Sequence, residues 1–321
     1  EESKNGARER SKSRSSPKKI DRIGPMALCG RSVTTLVFLA WWCEGLAPAA
    51  RESAGEVVAS AFASKDFGPA LEALCSDDVV LNDLARGETR GRDAVVNALK
   101  GARVVERTAG NETTGGLTWY REQDGRRGLR GTTYVRFDDK GLLAYLQEAS
   151  EPIFKAGPLT EALLKAATQN VVKEKEVTTP SYTERTPTSA SDVVRYLWQE
   201  ASPNGASPEV ALGLFADDIL YEDFNYAAPF EGIDQVRDFV EAFDIPGIEF
   251  VPMEISGGDG TTCCFTWKVV VNGNDGPQGV SFYEVDPSTK KVTYVRDIPA
   301  TKPAPLQRLA DLLNPDLGVF F

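Results

Sequence analysis

The chain has 321 residues, an apolar fraction of 41%, a formal net charge of −11 and no histidine. That length accommodates two ordinary domains, and the acidic balance excludes nucleic acid as the main partner, because phosphate binding needs a basic face. Without histidine there is no Ser-His-Asp or Cys-His catalysis and no His-ligated zinc or haem, so acid–base chemistry falls to Asp, Glu, Tyr, Lys or Cys.

The first 50 residues carry a balance of +4, leaving −15 for the remainder. Residues 1–25 are rich in Ser, Lys and Arg, contain no aromatic residue and cannot build a core; they read as a transit segment or as sequence upstream of the true start. Met26 then opens a stretch with Arg31, an apolar run from Val33 to Cys43 and small residues at Ala47, Ala49 and Ala50. This is the layout of a signal peptide cleaved near Ala49 or Ala50, the alternative being an uncleaved anchor. Residues 1–51 are therefore read as a leader, and no membrane span is predicted after its cleavage. The destination is open between secretion and two-step delivery into a plastid. Asn111-Glu112-Thr113 fits a glycosylation acceptor, a triplet common by chance.

In the body, Ser53 with Glu56 predicts a capping box for a helix reaching Ala63. A second helix over Phe67 to Leu74 leads into Ser76-Asp77-Asp78, read as a turn or cap, and then a strand from Val79 to Asp83. Gly91 opens a third helix, followed by strands around Thr118–Arg121, Thr132–Phe137 and Leu142–Glu148 and a helical run Pro158–Thr168. Residues 170–189 are charged, Thr- and Pro-bearing and short of aliphatics, which predicts a linker. From 190 the same order returns: a helix over Ser191–Glu200, Ser207-Pro208 opening the next, the stretch Leu212–Phe243, strands at Gly247–Ile255, Thr262–Val271, Gly279–Val285 and Lys291–Ile298, and a helix opened by Pro305. The loops at 256–260 and 272–276 read as hairpin turns.

The two copies match point by point. Asp77-Asp78 pairs with Asp217-Asp218, Asp83 with Asp223, Gly91 with Gly232, Trp119 with Trp267, Tyr145 with Tyr294 and Glu148 with Asp297, while Lys155 and Pro158-Leu159 match Lys302 and Pro305-Leu306. Helices first and strands afterwards predict an α+β fold duplicated in tandem, as domains 52–169 and 190–321 around the linker 170–189. Cys75, Cys263 and Cys264 read as buried free thiols, since adjacent strand residues face opposite ways. No phosphate loop, dinucleotide glycine pattern or metal-ligand spacing occurs, so no metal or cofactor is predicted.

The order helix, helix, D-D-x-x-Y-x-D, P-F-x-G, helix, four strands resembles the SnoaL-like branch of the nuclear-transport-factor-2-like superfamily, on Asp217, Tyr221, Asp223, Pro229, Phe230 and Gly232. The stretch Gly279–Pro299 also resembles the last strands of plant and algal plastid members, which implies a plastid or its lumen, with secretion as the alternative. Copy one departs, with Asn82 in place of Glu222 and no Pro-Phe before Gly91. The resemblance implies two cone-shaped domains, each a curved, mostly antiparallel sheet packed on its N-terminal helices around an apolar pocket. It implies Asp223 and Asp297 as pocket acids, Tyr221 and Tyr283 as donors to a developing enolate, and Phe230, Phe265 and Trp267 as pocket wall. The bland readings stand beside these: a structural hydrogen bond or ion pair for Asp223, core packing for Trp267, and a solvated face for Glu222. The resemblance further implies association through the open sheet face, with the two copies as an internal pseudo-dimer. The function it implies is a non-catalytic or accessory protein binding a small apolar molecule or a protein partner. The alternative is a cofactor-independent cyclase, isomerase or dehydratase using the acids of the second domain.

Overall fold

The computed structural model describes residues 51–101, 103–152, 154–168, 180–271 and 273–300. The leader, residues 170–179 of the linker and the helix expected from Pro305 lie outside these described residues. The fold is α+β: two six-stranded mixed sheets with their helices, both within Ala50–Phe321. No helix among the described residues is long and apolar enough to cross a membrane.

In the first half α1 (Ala54–Ala63) and α2 (Phe67–Leu74) precede β1 (Cys75–Asp83), β2 (Gly87–Arg90) and α3 (Arg92–Ala98). Strands β3 (Val104–Gly110), β4 (Thr114–Gln123), β5 (Arg126–Phe137) and β6 (Leu143–Ser150) follow, and α4 (Pro158–Thr168) ends the half. The second half has α5 (Ala190–Arg195), α6 (Pro208–Gly213), β7 (Phe215–Asp223), β8 (Phe230–Glu231) and α7 (Ile233–Ala242). Strands β9 (Ile248–Ile255), β10 (Thr262–Val271), β11 (Asn274–Val285) and β12 (Val292–Pro299) complete it. Strand orders are β2-β1-β6-β5-β4-β3 and β8-β7-β12-β11-β10-β9, the same path twice. All pairs are antiparallel except β1 with β6 and β7 with β12.

The local signals act as expected at several points. Ser53 Oγ accepts from Glu56 N at 3.3 Å and Glu56 Oε2 accepts from Ser53 N at 2.7 Å, closing the capping box of α1. Gly91 and Gly232 both take a positive φ (87° and 81°) where a strand turns into a helix, a conformation that disfavours any side chain.

Three expectations are corrected. Asp77-Asp78 and Asp217-Asp218 lie inside β1 and β7, not in turns before them, and their side chains are exposed where the pairing with the parallel neighbour slips. The helix expected over Ser191–Glu200 is α-helical only to Arg195 and continues as a wider π turn, Tyr196–Ala201, that keeps Tyr196, Leu197 and Ala201 buried. Strand β3 was not legible in Val104–Gly110, because this edge strand buries only Ala109 and so lacks a regular apolar alternation. The described end of the linker is tied to the second half: Arg185 donates to Glu200 at 2.9 Å and to Asp192 at 2.9 Å.

Each sheet has two covered faces. One packs on its own helices through Leu81, Leu117, Trp119, Val135 and Leu146 in the first half, and through Ile219, Tyr221, Phe265, Trp267 and Tyr283 in the second. The alternate residues of the same strands meet the other half: Tyr134, Phe224, Cys264, Val280, Phe282 and Ile298 form one buried seam. The sheets approach so closely that a Cβ on Gly116 would lie 2.3 Å from Cys264 Sγ. The chain is thus its own pseudo-dimer, and the sheet faces that the resemblance assigned to a partner cover each other.

Glu222 sits in this seam, which corrects its reading as a solvated face. It alternates away from Asp223, but its side chain is only 12% exposed and accepts from Arg296 Nε at 3.0 Å and from Arg130 at 2.7 Å. Arg296, 1% exposed, also reaches Glu106 of the first half at 3.0 Å. Further out, Arg107 pairs with Glu284 at 3.1 Å and Arg136 faces Glu254 at 3.9 Å. The register makes these two contacts equivalents: Arg107 and Glu254 oppose the matching Thr118 and Thr266, and Arg136 and Glu284 oppose the matching Thr114 and Thr262. The first half supplies arginine at both positions and the second supplies glutamate. Two copies of either half would set like charges against each other, so the seam selects the unlike pairing.

Asn111 is also committed. Its Oδ1 accepts from Thr113 N at 3.0 Å and Thr114 N at 2.9 Å, and its amide nitrogen would lie 2.2 Å from a Cβ on Gly257.

Arg296→Met is expected to cost about 1–3 kcal/mol, because Glu222 and Glu106 lose one of their two cations and keep Arg130 and Arg127, and Glu222→Gln in the same chain should recover part of that loss. Urea denaturation of the two variants checks this; a cost below about 1 kcal/mol would place the stability of the seam in its apolar contacts alone.

Candidate functional site

The inward side of the second sheet is set by alternation from β12. Asp297 stands opposite Asp223 of β7 on one side and Ser281 of β11 on the other. Two residues along β11, Gly279 faces Trp267 of β10, and the missing Cβ lets the indole lie across it: a methyl there would come within 2.2 Å of Trp267 Cζ2. The indole Nε1 then donates to Ser281 Oγ at 2.6 Å. The serine hydroxyl donates to Asp297 Oδ1, and the Tyr221 hydroxyl donates to Asp297 Oδ2. Asp297 is buried; Asp223, at the end of its strand, is half-buried and accepts from Asn225 N at 2.7 Å.

Among the described residues no cation touches either carboxylate. Burial pushes Asp223 up to about 7, aided by the charge of Asp297 and opposed by the Asn225 N–H and the nearby Lys155. Burial pushes Asp297 up to about 6, against the Ser281 and Tyr221 hydrogen bonds. The two carboxyls face each other across one parallel register, so their protons leave as a coupled pair. The hydroxyls of Tyr221 and Tyr283 are pushed far up by burial and by Asp297, and stay protonated as donors.

The same constellation stands in the first half with different charges. Trp119 Nε1 donates to Thr133 Oγ1 at 2.9 Å, Thr133 Oγ1 donates to Glu148 at 3.0 Å, and a Cβ on Gly131 would lie 2.2 Å from Trp119 Cζ2. Asp83 stands opposite Glu148 as Asp223 does opposite Asp297. Here, however, Arg103 grips both oxygens of Glu148, at 3.0 Å through Nη2, with its guanidinium stacked 4.3 Å from the Trp119 ring. The position of Tyr221 is Leu81, and by strand register Phe250 of β9 takes the place of Arg103, packing 4.8 Å from the Trp267 ring. One half neutralises its buried acid with an arginine, and the other leaves it to two hydroxyls and a proton.

Of the expected wall residues, Phe265 and Trp267 lie on the helix side of β10 with Cys263, and Phe265 packs at 5.1 Å on the ring of Tyr283. Trp267 is therefore core as well as a hydrogen-bond donor into the site. Phe230, on β8, belongs to a cluster with Tyr226 (5.0 Å), Phe239 (4.6 Å) and Tyr221 (6.4 Å) that fills the space between α7 and the sheet beside the acids. The two surface cavities found, one along Arg51, Ser53 and Asn111 and one along Glu72, Asp77 and Arg92, do not border Asp223 or Asp297. Tyr221 is bound to Asp297 and is not a free donor, as the enolate role required. The cysteines are buried and free, and burial pushes the Cys75 thiol up to about 11.

Four participants escaped the sequence reading. Ser281 and Thr133 were legible in principle, since Gly279-Val280-Ser281 and Gly131-Thr132-Thr133 recur at the same register. Asn225 and the start of α4 were not. Asn225 O accepts from Gly157 N at 2.8 Å and its Nδ2 donates to Thr160 Oγ1 at 2.9 Å, while Tyr226 donates to Glu161. The helix that closes the first half thus lies over the loop that follows β7, a long-range contact without a local signal.

No model of a known protein family matches the chain, and no curated protein matches it. Solved structures do. A nuclear-transport-factor-2-like protein of unknown function from Cytophaga hutchinsonii matches at 13% identity and TM-score 0.30, over 38% of this chain and 97% of its own. A protein described as a putative polyketide cyclase from Sinorhizobium meliloti matches at 17% identity and TM-score 0.27, over 33% and 93%. A protein described as a putative isomerase of the SnoaL-like family from Agrobacterium tumefaciens matches at 20% identity and TM-score 0.25, over 29% and 79%. Likenesses at these TM-scores carry no weight for kinship or activity, and the architecture stands on the chain's own strand order.

The pH dependence of stability follows from the acid pair. Both carboxyls are raised above the ordinary aspartate value, so between about pH 4 and 7 the folded chain holds more protons than the unfolded one. The pair therefore weakens the fold as pH rises through that window. Asp297→Asn is expected to leave the melting temperature near that of the wild type at pH 4 and to raise it by several degrees at pH 8, each kcal/mol being worth roughly 2–4 °C. A difference between the two proteins that does not change with pH would contradict the assignment.

Proposed function

We propose that the chain is a tandem SnoaL-like protein, with domains at 52–169 and 190–321, whose second domain is a cofactor-independent proton-transfer centre for a small apolar carbonyl compound. The first domain is its structural partner. The observation that carries this reading is the inward acid pair of the second domain, on which no cation sits among the described residues, where the first domain places Arg103 on its own acid. A buried acid without a counterion costs stability, and a chain that solves the problem in one copy and keeps it in the other is consistent with use of the proton.

In this reading Asp223, the more exposed of the two, meets the substrate. Its carboxylate takes a proton from the carbon next to a carbonyl and returns it at another carbon, so that the net change is an isomerisation. Asp297, held as a carboxylate by the Ser281 and Tyr221 hydroxyls, supplies the negative charge that keeps Asp223 basic enough to act near neutral pH. Ser281 and Trp267 position Asp297. The aromatic cluster of Tyr226, Phe230 and Phe239 selects for an apolar body and against water. That same cluster favours a second reading, in which an apolar molecule is held without turnover. The plastid or its lumen as the site of action rests on the resemblance of Gly279–Pro299, with secretion as the alternative.

The test is carbon-bound hydrogen exchange in deuterium oxide, followed by nuclear magnetic resonance across a panel of small cyclic and open-chain enones. The wild-type chain is expected to exchange the position next to the carbonyl faster than buffer, and Asp223→Asn to lose about 10²–10⁴-fold of that rate while staying folded. Equal rates in wild type and Asp223→Asn would overturn the catalytic role. Rates no faster than buffer throughout, together with an apolar mass released on denaturation, would establish the second reading.

A further inference from the structure

The first half carries a charge arrangement that its sister lacks. Along β4 the inward positions are Leu117, Trp119 and Arg121, and the equivalent of Arg121 on β10 is Val269. Arg121 is half-buried at the end of the sheet where Asp83 and Glu148 stand. Its guanidinium carbon would lie 3.7 Å from a Cβ on Gly101. Its Nε is shielded from solvent and has no hydrogen-bond partner, and among the described residues no carboxylate forms an ion pair with it. Arg103 and Arg86 raise the local positive charge, and Glu148 and Asp83 offset it. Arg103 is consumed by the two oxygens of Glu148, and Arg86 lies 3.8 Å from Asp83.

Three guanidinium groups therefore face two carboxylates, and the group left over is Arg121. Burial and the neighbouring Arg103 hold it below the usual arginine range, which marks a cation lacking its counterion. The second half shows what the position takes when no charge is wanted: Val269 replaces Arg121, Phe250 replaces Arg103 and Tyr226 replaces Arg86. A planar guanidinium with free N–H groups, partly withdrawn from water, matches a carboxylate in charge and in shape. One unit of excess charge fits a monoanion, whereas a dianionic phosphate would leave the cluster negative. We propose that the mouth of the first half binds a small monocarboxylate through Arg121. This site is separate from the acid pair of the second half and does not depend on its function.

The experiment uses the full chain at low ionic strength, with sodium acetate titrated against equal concentrations of sodium chloride. Melting temperature and saturation transfer to acetate in nuclear magnetic resonance are the two readouts. Acetate is expected to raise the melting temperature saturably beyond chloride, as a ligand of the folded state must, and Arg121→Gln to weaken its apparent affinity at least tenfold. Arg121→Lys, which keeps the charge and loses the fork, should retain weaker binding and guards against a folding failure of the glutamine variant. Acetate that behaves as chloride in the wild type, or binding of unchanged strength in both variants, would overturn the proposal.

Discussion

A carboxylate taken out of water must find a cation, a set of donors or a proton, and this chain meets that constraint in three ways at three places, two of which match. In the first half Arg103 grips Glu148. In the seam Arg296 and Arg130 hold Glu222 and Glu106. In the second half Asp297 has two hydroxyls, and Asp223 a backbone N–H, with no cation on either among the described residues. Everything distinctive about the molecule follows from which solution sits where. The arginines decide what is scaffold, and their absence decides what is left with a proton to move.

Duplication is what makes the three solutions comparable. The same strand order, the same glycine under the same tryptophan and the same hydroxyl between indole and acid recur in both halves. Divergence has acted on a few side chains over that fixed frame: Arg103 against Phe250, Leu81 against Tyr221, Arg121 against Val269. The seam has diverged too, with arginine at Arg107 and Arg136 facing glutamate at Glu254 and Glu284. Such a charge split turns two like domains into an unlike pair, and it ties each half to its sister.

Much of this was legible before any coordinates, for a physical reason. Alternation along a strand is local, so the shared face of Phe265 and Trp267 followed from counting, while Asp223 and Asp297 were singled out by the family resemblance, and the matched glycines marked backbone positions that no other residue takes at ease. What alternation cannot say is what lies on the far side of a sheet. Glu222 was read toward solvent because the opposite face of one strand is all that spacing reveals; the sheet that covers that face belongs to the other half, with Arg130 lying 92 residues away along the chain. Arg103 was invisible for a similar reason, since it sits in a loop outside any period. The link from α4 to Asn225 likewise joins two halves that local patterning treats as separate.

The central claim is that the second half keeps a carboxyl protonated near neutral pH, and infrared spectroscopy reads it most directly, because a protonated carboxyl absorbs apart from a carboxylate. A pH titration of the full chain in deuterium oxide should show a protonated-carboxyl band that persists above pH 5.5, fades as a coupled pair between about pH 6 and 7 and is lost in the Asp223→Asn, Asp297→Asn double variant. A wild-type chain with all carboxyls ionised by pH 5.5, or a band that survives in the double variant, would contradict the account.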